Sequence, residues 1–97
     1  MKSSASTANN YLVYFSRKAE KEFARLSLVK RRLLMSRLEM LSWPLPDNLD
    51  IKFLKGAEGK FYRLRVGQLR VIFEVDKDKK EIWIRKVGYR GGVYKRF

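Results

Sequence analysis

The chain has 97 residues, 45% of them hydrophobic, with 23 Lys+Arg against 10 Asp+Glu and a formal net charge of +13. That length suits one small domain with a single core, and that charge favours a polyanionic partner, either nucleic acid or an acidic protein segment. Cysteine and histidine are both absent, which excludes disulfides, thiolate metal sites, imidazole-bound zinc and Ser/His/Asp catalysis.

Residues 1–10, MKSSASTANN, are polar and lack the apolar core of a secretory signal, so they are expected to form a flexible segment ahead of one domain spanning 11–97. No apolar run reaches the length of a membrane span, and the expectation is a cytoplasmic protein. The run YLVYF at 11–15 predicts a strand. Ser16 then suits an N-cap for a helix starting at Arg17, with Ala19, Phe23 and Leu26 on one apolar stripe. Ser27 predicts a second cap, followed by Leu34, Leu38 and Leu41 at helical spacing. So short a joint between two amphipathic helices predicts an αα-hairpin.

Trp43-Pro44-Leu45-Pro46 ends the second helix, because proline can neither donate to the helical ladder nor tolerate a helical residue before it. Residues 49–60 alternate weakly and include Gly56 and Gly59, which predicts a short extended piece and a loop. Strands are predicted at 61–66, 69–75 and 81–87. The stretch FYRLRVGQLRVIFEV, 61–75, reads as a hairpin about Gly67-Gln68. That register pairs Val66 with Leu69, Leu64 with Val71 and Tyr62 with Phe73 on an apolar face, and sets Arg65 opposite Arg70 on the other. The expected fold is α+β, a two-helix hairpin packed on one face of a small, mostly antiparallel four-stranded sheet.

The second sheet face is then free for function. Arg63, Arg65 and Arg70 cluster there, Arg85 can join from the next strand, and Arg90 lies just past it. Like charges opposed across a hairpin are destabilising, and a phosphate bridging the guanidiniums would relieve the repulsion. A plain solvated face, partly neutralised by Glu74 or Glu81, is the competing reading. Tyr94 among Lys95 and Arg96 suits single-stranded nucleic acid, whose bases stack while its phosphates are neutralised. Equally, Tyr94 suits a terminal anchor on the core. Lys52 and Lys55 flank the sheet and would widen the basic surface.

In its hairpin FYRLRVGQLRVIFEV, followed by a strand ending VGYRGGVY, the chain resembles the RelE-type toxins of bacterial and archaeal toxin–antitoxin pairs. The likeness covers nearly everything after residue 10, and Val87, Gly88, Arg90, Val93 and Tyr94 carry its C-terminal pattern. It implies a RelE-like fold and a ribosome-dependent endoribonuclease that cuts mRNA in the decoding site without a metal or other cofactor. The implied chemistry is 2′-hydroxyl attack on the adjacent phosphate, giving a 2′,3′-cyclic phosphate. By the same resemblance, Arg63, Arg65, Arg70, Arg90 and Tyr94 are the catalytic residues, while Lys52, Lys55, Arg85, Lys95 and Arg96 contact RNA or the ribosome. Some family members have lysine where this chain has Arg63 and Arg65; arginine does not give up its proton, so no general base is assigned. The implied partners are the ribosome, mRNA and a cognate RelB-like antitoxin, acidic and partly disordered. Two rivals stay open: a ParE-type poison of DNA gyrase with the same fold, and a non-catalytic RNA-binding module.

Overall fold

Two serines set where the helices begin. In the computed structural model, which describes residues 11–55 and 60–89, Ser16 Oγ accepts a hydrogen bond from the Ala19 N–H at 3.2 Å and opens α1 (Arg17–Ala24). Ser27 Oγ does the same for the Lys30 N–H, also at 3.2 Å, and opens α2 (Leu28–Leu38). Each hydroxyl satisfies one of the N–H groups that a helix start leaves without an internal partner. The helices bury Ala19, Leu34 and Leu38, while Leu26 and Leu41, just past their ends, complete the apolar stripe.

Five strands form one sheet: β1 (Leu12–Phe15), β2 (Asp50–Lys55), β3 (Lys60–Val66), β4 (Leu69–Asp76) and β5 (Glu81–Tyr89). Their spatial order is β1-β5-β4-β3-β2, with β1 parallel to β5 and every other pair antiparallel. This is the expected α+β arrangement with one strand more than the four expected. The additional strand is β2, which lies at the sheet edge and shifts register between Phe53 and Lys55. An edge strand with a bulge alternates poorly because only one neighbour constrains it, and so its sequence reads as a loose extended piece.

The β3–β4 hairpin has the expected register: Val66 pairs with Leu69, Leu64 with Val71, Tyr62 with Phe73 and Arg65 with Arg70. Gly67 opens the turn at φ +60°, a conformation that costs an L side chain but not glycine. Val13, Phe15, Leu64, Val71, Phe73, Ile82 and Ile84 line the helix-covered face and join Leu34 and Leu38 in the core. A shallow hollow of about 270 Å³ at the β2 end of this face is lined by Leu45, Leu49, Ile51, Phe53 and Tyr62.

The strand β5 carries a bulge of its own. Ile84 pairs with Phe73, but Lys86 pairs with Ile72, leaving Arg85 as the extra residue. Strict alternation would put Val87 on the Trp83 side; the bulge returns it to the core, where it is 4% exposed. Glu22 of α1 secures this region, since its Oε1 accepts the Val87 N–H at 2.8 Å. Ser16 anchors the other side, its N–H donating to the Ile84 carbonyl at 2.9 Å. Among the described residues, no helix is long and apolar enough to cross a membrane.

Candidate nucleic-acid interface

The sheet face away from the helices gathers residues from all five strands. By register, β3 contributes Phe61, Arg63 and Arg65, β4 contributes Arg70, Ile72 and Glu74, and β2 contributes Asp50 and Lys52. Trp83, Arg85 and Lys86 come from β5, and Tyr14 from β1. Strands hold these positions more rigidly than loops would. Three of the expected arginines, Arg63, Arg65 and Arg70, are therefore neighbours on one fixed surface.

Their charge is balanced differently from the expectation. Asp50, at the start of β2, lies opposite Arg65 in the ladder and grips two arginines with one carboxylate. Its Oδ1 accepts from Arg63 Nη2 at 3.0 Å, and its Oδ2 accepts from Arg65 Nε at 2.6 Å. A counter-charge for the hairpin arginines is thus built into the chain, on the strand that the sequence shows least clearly. Arg65 is half exposed, whereas the Arg63 side chain is only 15% exposed and its Nε is buried with no hydrogen-bond partner among the described residues.

Arg70 is held by another means. Its Nη1 donates to the Gly67 carbonyl at 3.0 Å and the Leu69 carbonyl at 3.2 Å, folding the guanidinium onto the hairpin turn. No carboxylate among the described residues pairs with it. Arg85 is neutralised as the solvated-face reading anticipates: its Nε and Nη2 both donate to Glu74 Oε1, at 3.0 and 2.9 Å. It also lies over the Trp83 ring at 5.0 Å, and Trp83 packs on Tyr14 with ring centroids 5.0 Å apart. Arg85 is thereby tied into an aromatic and acidic cluster at the β5 side. Glu81 accepts from Trp83 Nε1 at 2.8 Å in the same cluster.

The face is also less open than its sequence suggests. Ile72 is fully buried there, between Arg63 and Lys86 in register, yet it stands apart from the main core cluster. Lys52 is exposed and lies beside Arg63 in the β2–β3 ladder. The side chain of Lys55 lies outside the described residues, as do Arg90, Tyr94, Lys95, Arg96 and the expected flexible segment 1–10. Asp50 escapes sequence reasoning as a site residue because its neighbour pattern gives no strand signal; its proximity to two arginines exists only once β2 pairs with β3.

Burial raises the phenol of Tyr62 above the usual tyrosine range; this residue belongs to the helix-covered face, beside the hollow. Among the described residues no three potential metal ligands come together.

No protein-family model matches the chain. Among curated proteins it is 45% identical over 53 residues to one from Methanocaldococcus jannaschii named "Putative toxin RelE1". That match takes in 54% of this chain, which spans 58% of the length of that relative. Among solved structures, the archaeal RelE–RelB complex of Pyrococcus horikoshii contains a chain with a TM-score of 0.73 and 29% identity, covering 86% of this chain and 98% of that one. The RelB–RelE antitoxin–toxin complex of Methanococcus jannaschii contains one with a TM-score of 0.63 and 30% identity, covering 86% and 96%. The similarity spans the helices and the sheet together, and on that basis the chain belongs to the RelE-type toxin family.

Proposed function

We propose that this protein is the toxin of a type II toxin–antitoxin pair and cuts messenger RNA in the decoding site of the ribosome. The observation that carries the reading is the arginine group of the β3–β4 hairpin: of three guanidiniums on rigid strands, Arg63 and Arg65 share one carboxylate and Arg70 rests on backbone carbonyls. The surplus positive charge suits an RNA phosphate. The absence of histidine agrees with a site that works by charge and positioning, and a cluster of arginines supplies both.

In the proposed reaction the 2′-hydroxyl oxygen bonds to the adjacent phosphorus and the bond to the 5′-oxygen breaks. The products are a 2′,3′-cyclic phosphate and a free 5′-hydroxyl. Arg70 stabilises charge developing on the phosphorane; removing one such fixed donor typically lowers a rate by about 10²–10³-fold. Arg63 and Arg65 hold the backbone so that the nucleophile is in line. Arg90 contacts the scissile phosphate and assists departure of the 5′-oxygen, while Tyr94 orients a base or ribose. These arginines stay charged, so water or a ribosomal group takes the 2′-hydroxyl proton, and a proton from the same surroundings completes the 5′-hydroxyl. Lys52, Lys55, Arg85, Lys95 and Arg96 extend the binding surface for RNA and ribosome.

The two archaeal relatives were crystallised as complexes of RelE with RelB. A net charge of +13 suits an acidic, partly disordered antitoxin that folds on binding. Action on ribosomes would place the protein in the cytoplasm. Induced expression without the neighbouring gene product tests the reading: growth should stop with cleaved message. Arrest accompanied by gyrase-dependent DNA breaks and intact message would replace it with the gyrase-poison reading.

A further inference from the structure

We propose that Asp50 is a positioning residue that occupies the phosphate place between Arg63 and Arg65, and that an RNA phosphate engages the pair by displacing it. This rests on the reading of the face as an RNA site. The geometry behind it is the division of one carboxylate between two arginines, Oδ1 on Arg63 at 3.0 Å and Oδ2 on Arg65 at 2.6 Å. Two oxygens of a phosphodiester can meet two guanidiniums in the same way.

Two properties make Asp50 displaceable rather than structural. It is 42% exposed, so its attraction to either arginine is screened by water. It also stands at the first residue of an edge strand, bonded to a neighbouring strand on one side only. Arg63, by contrast, is largely buried, so its guanidinium stays in place when the carboxylate leaves. Without Asp50 the hairpin arginines would repel one another and bind any polyanion. With it, they are kept aligned and their affinity for RNA is held down until a phosphate competes.

The test is binding of a single-stranded RNA oligonucleotide to the full chain across a salt series, comparing wild type with Asp50→Asn and Arg65→Ala. Asparagine keeps the shape and one acceptor but removes the charge. The expected result is several-fold tighter binding for Asp50→Asn. Its dependence of log K on log salt should steepen by about 0.7 for each additional phosphate neutralised, an extra factor of about 2.6 across a fourfold change in salt. The tighter binding should vanish in Asp50→Asn combined with Arg65→Ala. Unchanged affinity and slope, or weaker binding by Asp50→Asn, would overturn the displacement proposal. If Asp50→Asn does not fold, NMR of the wild-type Asp50 carboxyl carbon decides instead: a shift on adding RNA supports release, and none contradicts it. Wild-type binding indifferent to Arg65→Ala would instead defeat the RNA reading of the face, a result distinct from failure of the Asp50 proposal alone.

Discussion

Arg65 faces Arg70 directly across the β3–β4 hairpin, yet the two are held by unlike partners. Arg65 leans on the Asp50 carboxylate through Nε, while Arg70 turns its Nη1 to the carbonyls of Gly67 and Leu69. The opposition of like charges is thereby relieved at one residue by a counter-ion and at the other by backbone dipoles. Arg70 keeps its formal charge without a carboxylate among the described residues, which makes it the member of the pair best placed to meet a phosphate.

Arg70→Ala should leave the domain folded and remove the growth arrest proposed for the wild type. Among the described residues the side chain hydrogen-bonds only to carbonyls of the turn, and it does not enter the apolar core. Circular dichroism should show an unchanged fold, while the rate of message cleavage should fall by about 10²-fold or more.

Leu64→Ala should do the reverse. Leu64 is fully buried between the hairpin and the helices, and truncating such a residue costs about 2–5 kcal/mol. A domain of this size has only about 5–15 kcal/mol to lose. Chemical denaturation should show a large drop for Leu64→Ala and a small one for Arg65→Ala, whose side chain is half exposed.

The helix cap offers a finer check. Ser16 Oγ accepts the Ala19 N–H at the start of α1. Ser16→Ala should cost about 1 kcal/mol and lower the melting temperature by about 4–8 °C, with Ser16→Asn restoring most of it.

These outcomes bear on how much of the molecule its sequence displays. The hairpin register is legible because apolar residues recur at every second position along both strands, Tyr62 to Val66 and Leu69 to Val75, on either side of a Gly-containing turn. Both helix starts are legible because a serine stands just before each apolar stripe. By contrast, β2 is hidden: Asp50, Lys52 and Lys55 interrupt its apolar residues, and the register slips between Phe53 and Lys55. With β2 hidden, so is Asp50, the counter-ion of two expected site arginines. The bulge at Arg85 is hidden as well, since one extra residue leaves no mark in composition but moves Val87 to the core and Lys86 to the opposite face.

Stability should also fall at alkaline pH through Tyr62. Burial raises its folded-state ionisation above the ordinary tyrosine value of 10.0. The folded chain therefore holds this proton more tightly than the unfolded chain does. The associated stability is complete below pH about 10 and is lost as pH rises through the folded value. Thermal melts from pH about 9 upward should decline less steeply for Tyr62→Phe than for the wild type.

Primer extension on a defined message, with programmed ribosomes and the purified protein, goes straight to the proposed activity. Cuts should fall within the decoding site, end in a 2′,3′-cyclic phosphate, require the ribosome and disappear with Arg70→Ala. Intact message in the presence of folded wild-type protein, or equal cutting by Arg70→Ala, would contradict the assignment of this arginine face as a ribonuclease centre.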